Sequence, residues 1–234
     1  MIPILAVPVL DQYELLADME KSVDADVRRY FVIDNGDRYE GTQADLAVRA
    51  EKTHVCRPGA NLGWGASINL AIKANIHAPW WLFTNDDIIF APGDLDRVAE
   101  RMWQAAGPTL ATMQNCGFSA FAINDAMVEA VGWFDESYHP AYCEDCDYEW
   151  RARRKGFLPI IVEGSTRHLG SQTIGKSLPR RNSNNLTYPV NVKYHQAKWG
   201  GEPRQEVYET PFNQGGDPSI TPAPRLSRLR ELAW

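Results

Sequence analysis

The feature that most constrains this chain is a repeated alternation of short apolar segments with segments of helical periodicity. The apolar segments are IPILAVPV, RRYFVIDNG, THVCRPG and WWLFTNDD, and polar or glycine-led stretches lie between them. Strands that alternate with helices pair in parallel, because each helix carries the chain back to the starting edge of the sheet. The sequence therefore predicts an α/β fold with a doubly wound, mostly parallel central sheet flanked by helices.

Polar side chains stand where three of these predicted strands end. Asp34 and Asn35 follow the second strand, Arg57 follows the third, and Asn85-Asp86-Asp87 follows the fourth. Ligands of doubly wound sheets bind beyond the carboxyl ends of the strands, so these clusters predict a site. Adjacent acids in the apolar segment WWLFTNDDIIF either cap a turn or bind a hard divalent cation, because unpaired buried charges are costly.

The segment RPGANLGWGASIN places Gly59, Gly63 and Gly65 before a predicted helix. Glycines let the backbone approach a ligand closely, and the amino end of a helix favours anions. The spacing fits neither the P-loop nor the GxGxxG pattern, so an ordinary turn is the alternative.

The most informative segment is GWFDESYHPAYCEDCDYEWRARRKGF. Four acids stand near the start of one predicted helix: Glu144, Asp145, Asp147 and Glu149. The helix dipole favours acids there, but four beside two tyrosines indicate a site in which a carboxylate acts as general base. His168 comes later, after FLPIIV, and is an ordinary polar residue unless it faces Asp87.

Composition narrows the class of protein. The net charge of −6 gives no basic field of the kind that nucleic-acid binding needs. The apolar runs are too short to span a bilayer, and no export signal precedes the first strand, so we expect a cytoplasmic protein. The four cysteines, including the CxxC at 143–146, are expected to be free thiols.

The second half predicts less regular structure. The basic stretches PRRNSNNLTYP and PRLSRLREL favour solvated loops or segments that approach an anionic acceptor or membrane surface, and PRLSRLRELAW also permits a short terminal helix. Glycines and serines in 170–187 predict a mobile segment on the acceptor side. Prolines beyond position 200 predict an extended, Pro-rich tail at 201–234.

The order of the motifs VIDNG, RPGANLGWGASIN, TNDD and GWFDESYHPAYCEDCDYEWRARRKGF, with a later histidine, resembles family 2 glycosyltransferases with the GT-A fold. Within that family the chain is most similar to the rhamnosyltransferase-like branch of bacteria and phages. The resemblance covers about residues 3–200 and implies a GT-A domain at 1–200, with a nucleotide-binding half at 1–90 and an acceptor-side half at 91–200.

For the donor, the resemblance implies a nucleotide site. Asp34 would contact the nucleobase, Arg57 and Asn61 would hold the nucleotide, and Asn85-Asp86-Asp87 stands where the family has its DxD-type motif. Asparagine in the first position would weaken metal binding or contact the ribose instead. The donor residues that we expect are Pro8, Asp34, Asn35, Arg57, Asn61, Gly63, Asn85 and Asp86.

For the chemistry, the resemblance implies a divalent metal, Mn²⁺ or Mg²⁺, with Asp87 as the main ligand and Asn85 and His168 beside it. Asp145 would be the general base of an inverting transfer to an acceptor hydroxyl, with Glu144 next to it. Three aromatic residues are expected to contact sugars or to be ordinary wall or core residues: Trp64, Trp133 and Tyr142.

The donor is expected to be a sugar linked to UDP, dTDP or GDP. The acceptor is left open between a glycan, a protein, a lipid-linked sugar and a modified DNA base. Two other functions remain: a nucleotidyltransferase, which also positions phosphates with strand-end acids and a metal, and a nucleotide- or sugar-binding module without turnover.

Overall fold

The structure is a computed structural model that describes residues 1–41, 45–170, 178–217 and 225–232, with only the backbone described for 178–184. In this part of the chain no helix is both long and apolar enough to cross a membrane.

The centre of the molecule is a seven-stranded sheet in the order β3-β2-β1-β4-β7-β6-β8. Its strands are β1 (Ile2–Val9), β2 (Val27–Asp34), β3 (Ala50–Cys56), β4 (Trp80–Thr84), β6 (Leu110–Met113), β7 (Gly117–Asn124) and β8 (Ile160–Val162). Only β7 runs antiparallel to its two neighbours, and the other pairs are parallel. The predicted α/β fold with a mostly parallel sheet is confirmed.

Helices flank this sheet, and most of them follow a strand in the chain. They are α1 (Tyr13–Lys21), α2 (Trp64–Ala74), α3 (Asp94–Trp103), α4 (Asp125–Val131), α5 (Glu144–Arg154), α6 (Leu178–Trp199) and α7 (Leu226–Leu232). A short 3-10 helix lies at Pro211–Asn213.

The core lies on both faces of the sheet because successive strand side chains point to opposite faces. Along β1, Leu5 and Val7 join one buried cluster with residues of α1 and α3, whereas Ile4 and Ala6 join a second cluster with α2, α4 and α5. Strands buried on both faces therefore appear in the sequence as continuous apolar runs rather than as alternating ones. Each large side chain buried in these clusters contributes about 1.5–3 kcal/mol to stability.

A second, two-stranded sheet positions one predicted site residue. Strand β5 (Ile88–Ile89) pairs antiparallel with β9 (Arg167–His168), with Ile88 opposite His168. The backbone N–H of Leu169 donates to the carbonyl of Asp87 at 2.9 Å. This register brings His168, far along the chain, beside the acid that follows β4.

The loop predicted for PRRNSNNLTYP is wrong, because α6 runs through the whole stretch despite an internal proline at Pro189, although the side chains described there are mostly exposed to solvent. Long-range contacts of its second half, described below, override the local preference. Of the predicted mobile segment 170–187, residues 171–177 lie outside the described residues and the remainder from Leu178 is helical.

Residues of the predicted tail make contacts with the rest of the fold. Val207 and Tyr208 donate backbone hydrogen bonds to the carbonyl of Trp199. Helix α7 buries Leu226, and its Arg230 side chain donates to the carbonyl of Ile76 at 2.6 Å. Positions 218–224 and 233–234 lie outside the described residues.

Candidate active site

A cleft of about 470 Å³ opens at the carboxyl edge of the central sheet. Its strand-end wall consists of Pro8, Val9, Leu10, Asn35, Asn61, Gly63, Trp64, Asn85, Asp86, Asp87 and His168. Its loop wall consists of Pro140, Ala141, Tyr142, Glu144, Asp145 and Arg204. Cys116, Gly117, Phe118 and Ser119, around the start of β7, connect the two.

The glycine loop is held between the two walls. The amide of Asn35 donates to the Ser67 hydroxyl at 2.9 Å and accepts from the backbone N–H of Leu62 at 3.1 Å. Gly63 has a φ of 81°, and a Cβ there would lie 2.7 Å from the carbonyl oxygen of Pro140. Glycine is therefore required at this position, both for the left-handed backbone and for the close approach of the loop wall.

The amino end of α2 docks on the same loop. The backbone N–H of Trp64 donates to the Pro140 carbonyl at 2.8 Å, and the His139 ring bonds the Asn61 carbonyl at 3.1 Å. The side chain of Asn61 accepts from the backbone N–H of Gly63 at 2.9 Å. In the structure Asn61 thus shapes the loop.

Three polar residues follow β4 into the cleft. The Trp64 indole N–H donates to Oδ1 of Asn85 at 3.0 Å. Asp86 and Asp87 are both buried. His168 Nε2 lies 3.1 Å from Oδ1 of Asp87.

A carboxylate oxygen and an imidazole nitrogen at this separation are suitable ligands for Mn²⁺. Mg²⁺ can use the same site, although it prefers oxygen ligands. Among the described residues no group of three His, Cys, Asp or Glu side chains forms a ready-made cation site. The pair Asp87 and His168 therefore fits a cation that takes its other ligands from the oxygens of a bound diphosphate and from water.

Asp94, at the start of α3, positions this part of the cleft and was not marked by any sequence motif. It is buried, and its Oδ2 accepts from the backbone N–H groups of Ser165 and Thr166 and from the Thr166 hydroxyl. Burial opposes the charge, but these hydrogen bonds and Arg97 outweigh it and lower the pKa of Asp94. A stable carboxylate thus anchors the approach to β9 and hence His168.

Asp34 and Arg57 are not among the residues that line the cleft. Asp34 is fully buried and accepts from the Tyr13 hydroxyl at 2.6 Å and from the backbone N–H of Tyr39 at 3.0 Å. Arg57 is half-exposed, lies 3.8 Å from Asp34 and donates to the Tyr39 carbonyl. A nucleobase contact by Asp34 stays a prediction, and in this structure its oxygens serve the fold.

The two acids at the start of α5 have different surroundings. Glu144 is buried and its Oε2 has no hydrogen-bond partner among the described residues, whereas Asp145 is partly exposed in the cleft. Burial, and then the charge of Asp145, raise the pKa of Glu144 to about 8. When the environments of two adjacent carboxyl groups differ in this way, one group can stay protonated while the other acts as a base. Here Glu144 is the protonated group and Asp145 is the candidate base.

The loop that precedes these acids is strained. Tyr142 and Cys143 have φ values of 79° and 76°, in the left-handed region that non-glycine residues avoid. The amide of Asn191, a buried residue of α6, donates to the carbonyls of Ala141 at 2.9 Å and Tyr142 at 3.2 Å. One side chain therefore holds the two peptide units that precede the acids.

Helix α6 is fixed by a buried ion network. Lys198 Nζ lies 2.7 Å from Asp135 and 2.5 Å from Asp147, and Asp147 also pairs with Arg151 at 2.7 Å. The Trp199 indole donates to Asp147 at 2.8 Å. Although burial opposes the charge, Arg151 and Lys198 bring the pKa of Asp147 down to about 2.

The three predicted sugar-contacting aromatics lie in different places. Trp64 and Tyr142 line the cleft, and the Tyr142 ring meets Tyr188 edge-on at 5.6 Å. Trp133 is buried in the second core cluster with the Lys73 amine over its ring. It presents no face to the cleft, so its place in the structure is that of a core residue.

Comparisons with known proteins agree with this architecture. No family model matches the chain. A galactofuranosyl glycosyltransferase from Leishmania donovani is 31% identical over an alignment of 98 residues, and the match covers 35% of this chain and 23% of that protein. The chain thus matches about a quarter of the length of that relative.

Several solved structures share the fold at low identity. The mannosyltransferase PcManGT from Pyrobaculum calidifontis, in complex with GDP-Man and Mn²⁺, has a TM-score of 0.50 at 12% identity and matches over 81% of this chain and 63% of its own. Glucosyl-3-phosphoglycerate synthase from Mycobacterium tuberculosis, with Mn²⁺, UDP and phosphoglyceric acid, has a TM-score of 0.50 at 12% identity over 81% and 78%. TarS of S. aureus has a TM-score of 0.51 at 12% identity over 70% and 59%. The chain has the GT-A fold.

Proposed function

We propose that this protein is a metal-dependent glycosyltransferase that moves a sugar from a nucleoside-diphosphate donor to an acceptor hydroxyl with inversion at the anomeric carbon. The observation that carries the proposal is that one cleft has a carboxylate–imidazole pair on one wall and a pair of adjacent carboxyl groups on the other. Asp87 and His168 lie on its strand-end wall, and Glu144 and Asp145 lie on its loop wall. Sugar transfer from a nucleotide needs both a place for the diphosphate and a base for the acceptor.

On the strand-end wall, Asp87 and His168 would hold the cation, and Pro8, Asn35, Asn61, Gly63, Asn85 and Asp86 would form the donor site. When bound, Mn²⁺ or Mg²⁺ supplies positive charge that stabilises the departing nucleoside diphosphate. Asp34 and Arg57, at the ends of β2 and β3, would contact the nucleotide from positions where they also contact Tyr13 and Tyr39.

On the loop wall, Asp145 would accept the proton of the acceptor hydroxyl while that oxygen attacks the anomeric carbon. A new carbon–oxygen bond forms, the bond from the anomeric carbon to the diphosphate oxygen breaks, and its electron pair leaves with the nucleoside diphosphate. Attack from the side opposite the leaving group inverts the configuration. Glu144, kept neutral by its raised pKa, leaves Asp145 as the base.

The ligands of the neighbouring structures suggest which nucleotide sugars to test first as donors. The neighbours were solved with GDP-Man and with UDP, so GDP- and UDP-linked hexoses come first. The rhamnosyltransferase-like branch, with dTDP-linked deoxyhexoses, stays a prediction from the sequence motifs. Three further statements also stay predictions: a domain division at residues 1–200 and 201–234, a cytoplasmic location, and the nature of the acceptor. The acceptor is expected to be a glycan, a protein, a lipid-linked sugar or a modified DNA base.

The first test is a thermal-shift panel of UDP, dTDP, GDP and CDP, each with and without Mn²⁺. A ligand at 100 times its Kd stabilises the folded state by about 2.7 kcal/mol. We expect one nucleotide to raise the Tm only with Mn²⁺ and Asp87→Ala to abolish that shift. Asp96→Ala, which removes an exposed acid of α3 outside the cleft, should leave it unchanged.

Turnover separates the remaining functions. A glycosyltransferase releases a nucleoside diphosphate from the donor, whereas a nucleotidyltransferase releases pyrophosphate. Metal-dependent nucleotide binding without release of either would favour a binding module. No nucleotide stabilisation at all would refute the proposed donor site.

A further inference from the structure

Arg204 is a cleft residue for which the proposed chemistry gives no role. It lies beyond the family resemblance, in the predicted tail, yet it lines the loop wall together with Tyr142, Glu144 and Asp145. Among the described lining residues, Arg204 alone carries a permanent positive charge, since the other titratable groups are acids, a thiol, a tyrosine and a histidine. A guanidinium among so many acids calls for a physical explanation.

The backbone around Arg204 is fixed by buried groups. The backbone N–H of Arg204 donates to Oε1 of Glu206 at 2.8 Å, and the same oxygen lies 2.9 Å from Nε2 of His195. His195 is fully buried and its other ring nitrogen lies 3.0 Å from the Tyr138 hydroxyl.

The turn is also strained. Arg204 has a φ of 69°, and at Gly201 a Cβ would lie 1.8 Å from the Gln205 carbonyl oxygen. Such conformations cost on the order of 1–3 kcal/mol for a non-glycine residue and persist where surrounding contacts enforce them. The fold therefore holds an arginine in an unfavourable conformation at the rim of the cleft.

The guanidinium makes no direct ion pair with a carboxylate, although the charges of Asp145 and Glu149 act on it. Within the described part of the chain, no acid side chain lies within 4.0 Å of the Arg204 guanidinium to form an ion pair. Its hydrogen-bonding neighbour is the thiol of Cys146 in the first turn of α5, next to Asp145. Burial and the charge of Asp145 raise the pKa of Cys146, so the thiol stays neutral near pH 7 and does not offset the charge.

We propose that Arg204 binds an anionic group of the acceptor, a carboxylate or a phosphate, and so orients the acceptor hydroxyl towards Asp145. A planar guanidinium fork recognises both groups through two parallel hydrogen bonds. On the loop wall, Arg204 is the one described side chain with a permanent positive charge, and it shares that wall with Asp145. The inference rests on the proposed function, and it makes the acceptor an acidic sugar or a phosphorylated compound.

The test compares the full chain with Arg204→Gln and Arg204→Lys, using glucuronate and inorganic phosphate as anionic probes and glucose as the neutral one. Binding is measured by thermal shift, with and without the nucleotide and Mn²⁺ found in the panel above. We expect glucuronate or phosphate, but not glucose, to stabilise the unmodified chain. Arg204→Gln should weaken anion binding about tenfold or more, as loss of a charged hydrogen bond does, and Arg204→Lys should weaken it less.

Arg28→Gln is the matched control, because Arg28 is an exposed arginine outside the cleft. Equal anion binding by the unmodified chain and Arg204→Gln would overturn the inference. A loss of nucleotide affinity in Arg204→Gln as large as the loss of anion affinity would also overturn it, since the guanidinium would then serve the donor diphosphate. If no nucleotide binds but anion binding still depends on Arg204, the proposed donor site fails and the anion site stands.

Discussion

Most of the strand-end wall of the cleft is made by residues at or shortly after the ends of β1 to β4, with His168 of β9 added to it, whereas the loop wall is made by segments that come together from distant parts of the chain. Asn35 and Asp87 take their positions from the strands that precede them. Tyr142 and Asp145 take theirs from Asn191, about fifty residues later. Apart from His168, the first wall therefore follows from local structure, and the second depends on packing of α6.

The largest difference between the walls should appear with Asp145→Asn. Loss of the proposed base should lower turnover about 10²–10⁴-fold, the usual contribution of general base catalysis. Affinity for the nucleotide and Mn²⁺, a property of the strand-end wall, should stay unchanged in calorimetry. Turnover that survives the substitution would remove Asp145 from the mechanism.

The next effect concerns stability. Lys198→Met should lower the free energy of unfolding by about 3–5 kcal/mol, because Asp135 and Asp147 lose their shared buried cation. For a chain of this size that corresponds to a fall in Tm of roughly 10 °C. Lys21→Met, which breaks an exposed pair with Asp18, is the control and should change the Tm little. Similar shifts in the two variants would mean that the network does not hold α6.

A smaller effect should follow Asn191→Ala. The variant loses two hydrogen bonds to the carbonyls that precede the acids, worth about 1 kcal/mol each. We expect about 1.4 kcal/mol of this loss to appear as poorer positioning of Asp145 in the transition state, which lowers kcat about tenfold. Nucleotide affinity should not change, since the strand-end wall is untouched. Asn185→Ala on the exposed side of the same helix is the control. A lower Tm with an unchanged kcat would show that Asn191 stabilises the fold but does not position the acids for catalysis.

The smallest effect should be a pH dependence of stability from Glu144. Its folded pKa of about 8 lies above its ordinary value of 4.5, so between these pH values the folded state holds a proton that the unfolded state releases. Stability from this group is therefore lost as pH rises through that window. Glu144→Gln should raise the Tm at pH 8.5 by several degrees more than at pH 5. An equal change at both pH values would show that Glu144 is ionised in the folded protein.

The contrast also explains what the sequence could predict. The strands, the sheet and the glycine loop follow from patterns within about ten residues, because apolar runs and glycines act locally. Asp87 and His168 were predicted as a pair from the motif order, and the register of β5 with β9 supplies the contact.

Other residues were out of reach of local patterns. Helix α6 contains an internal proline and a run of asparagines, so its propensity is poor, and it is held by contacts that span about fifty to sixty residues. Arg204 lies in a turn whose geometry depends on His195 and Tyr138. Trp133 resembles a wall residue in the sequence because it precedes the acidic loop, but the core fills its surroundings.

Trp64 has a consequence for spectroscopy. Of the tryptophans in the described chain, it alone lines the cleft, with its indole N–H on Asn85, while Trp80, Trp81, Trp133 and Trp199 are buried. A ligand that enters beside the indole would change its emission against the background of the described tryptophans outside the cleft. The protein thus carries an intrinsic optical reporter, and quenching of its own fluorescence would follow occupancy of the cleft without any attached label.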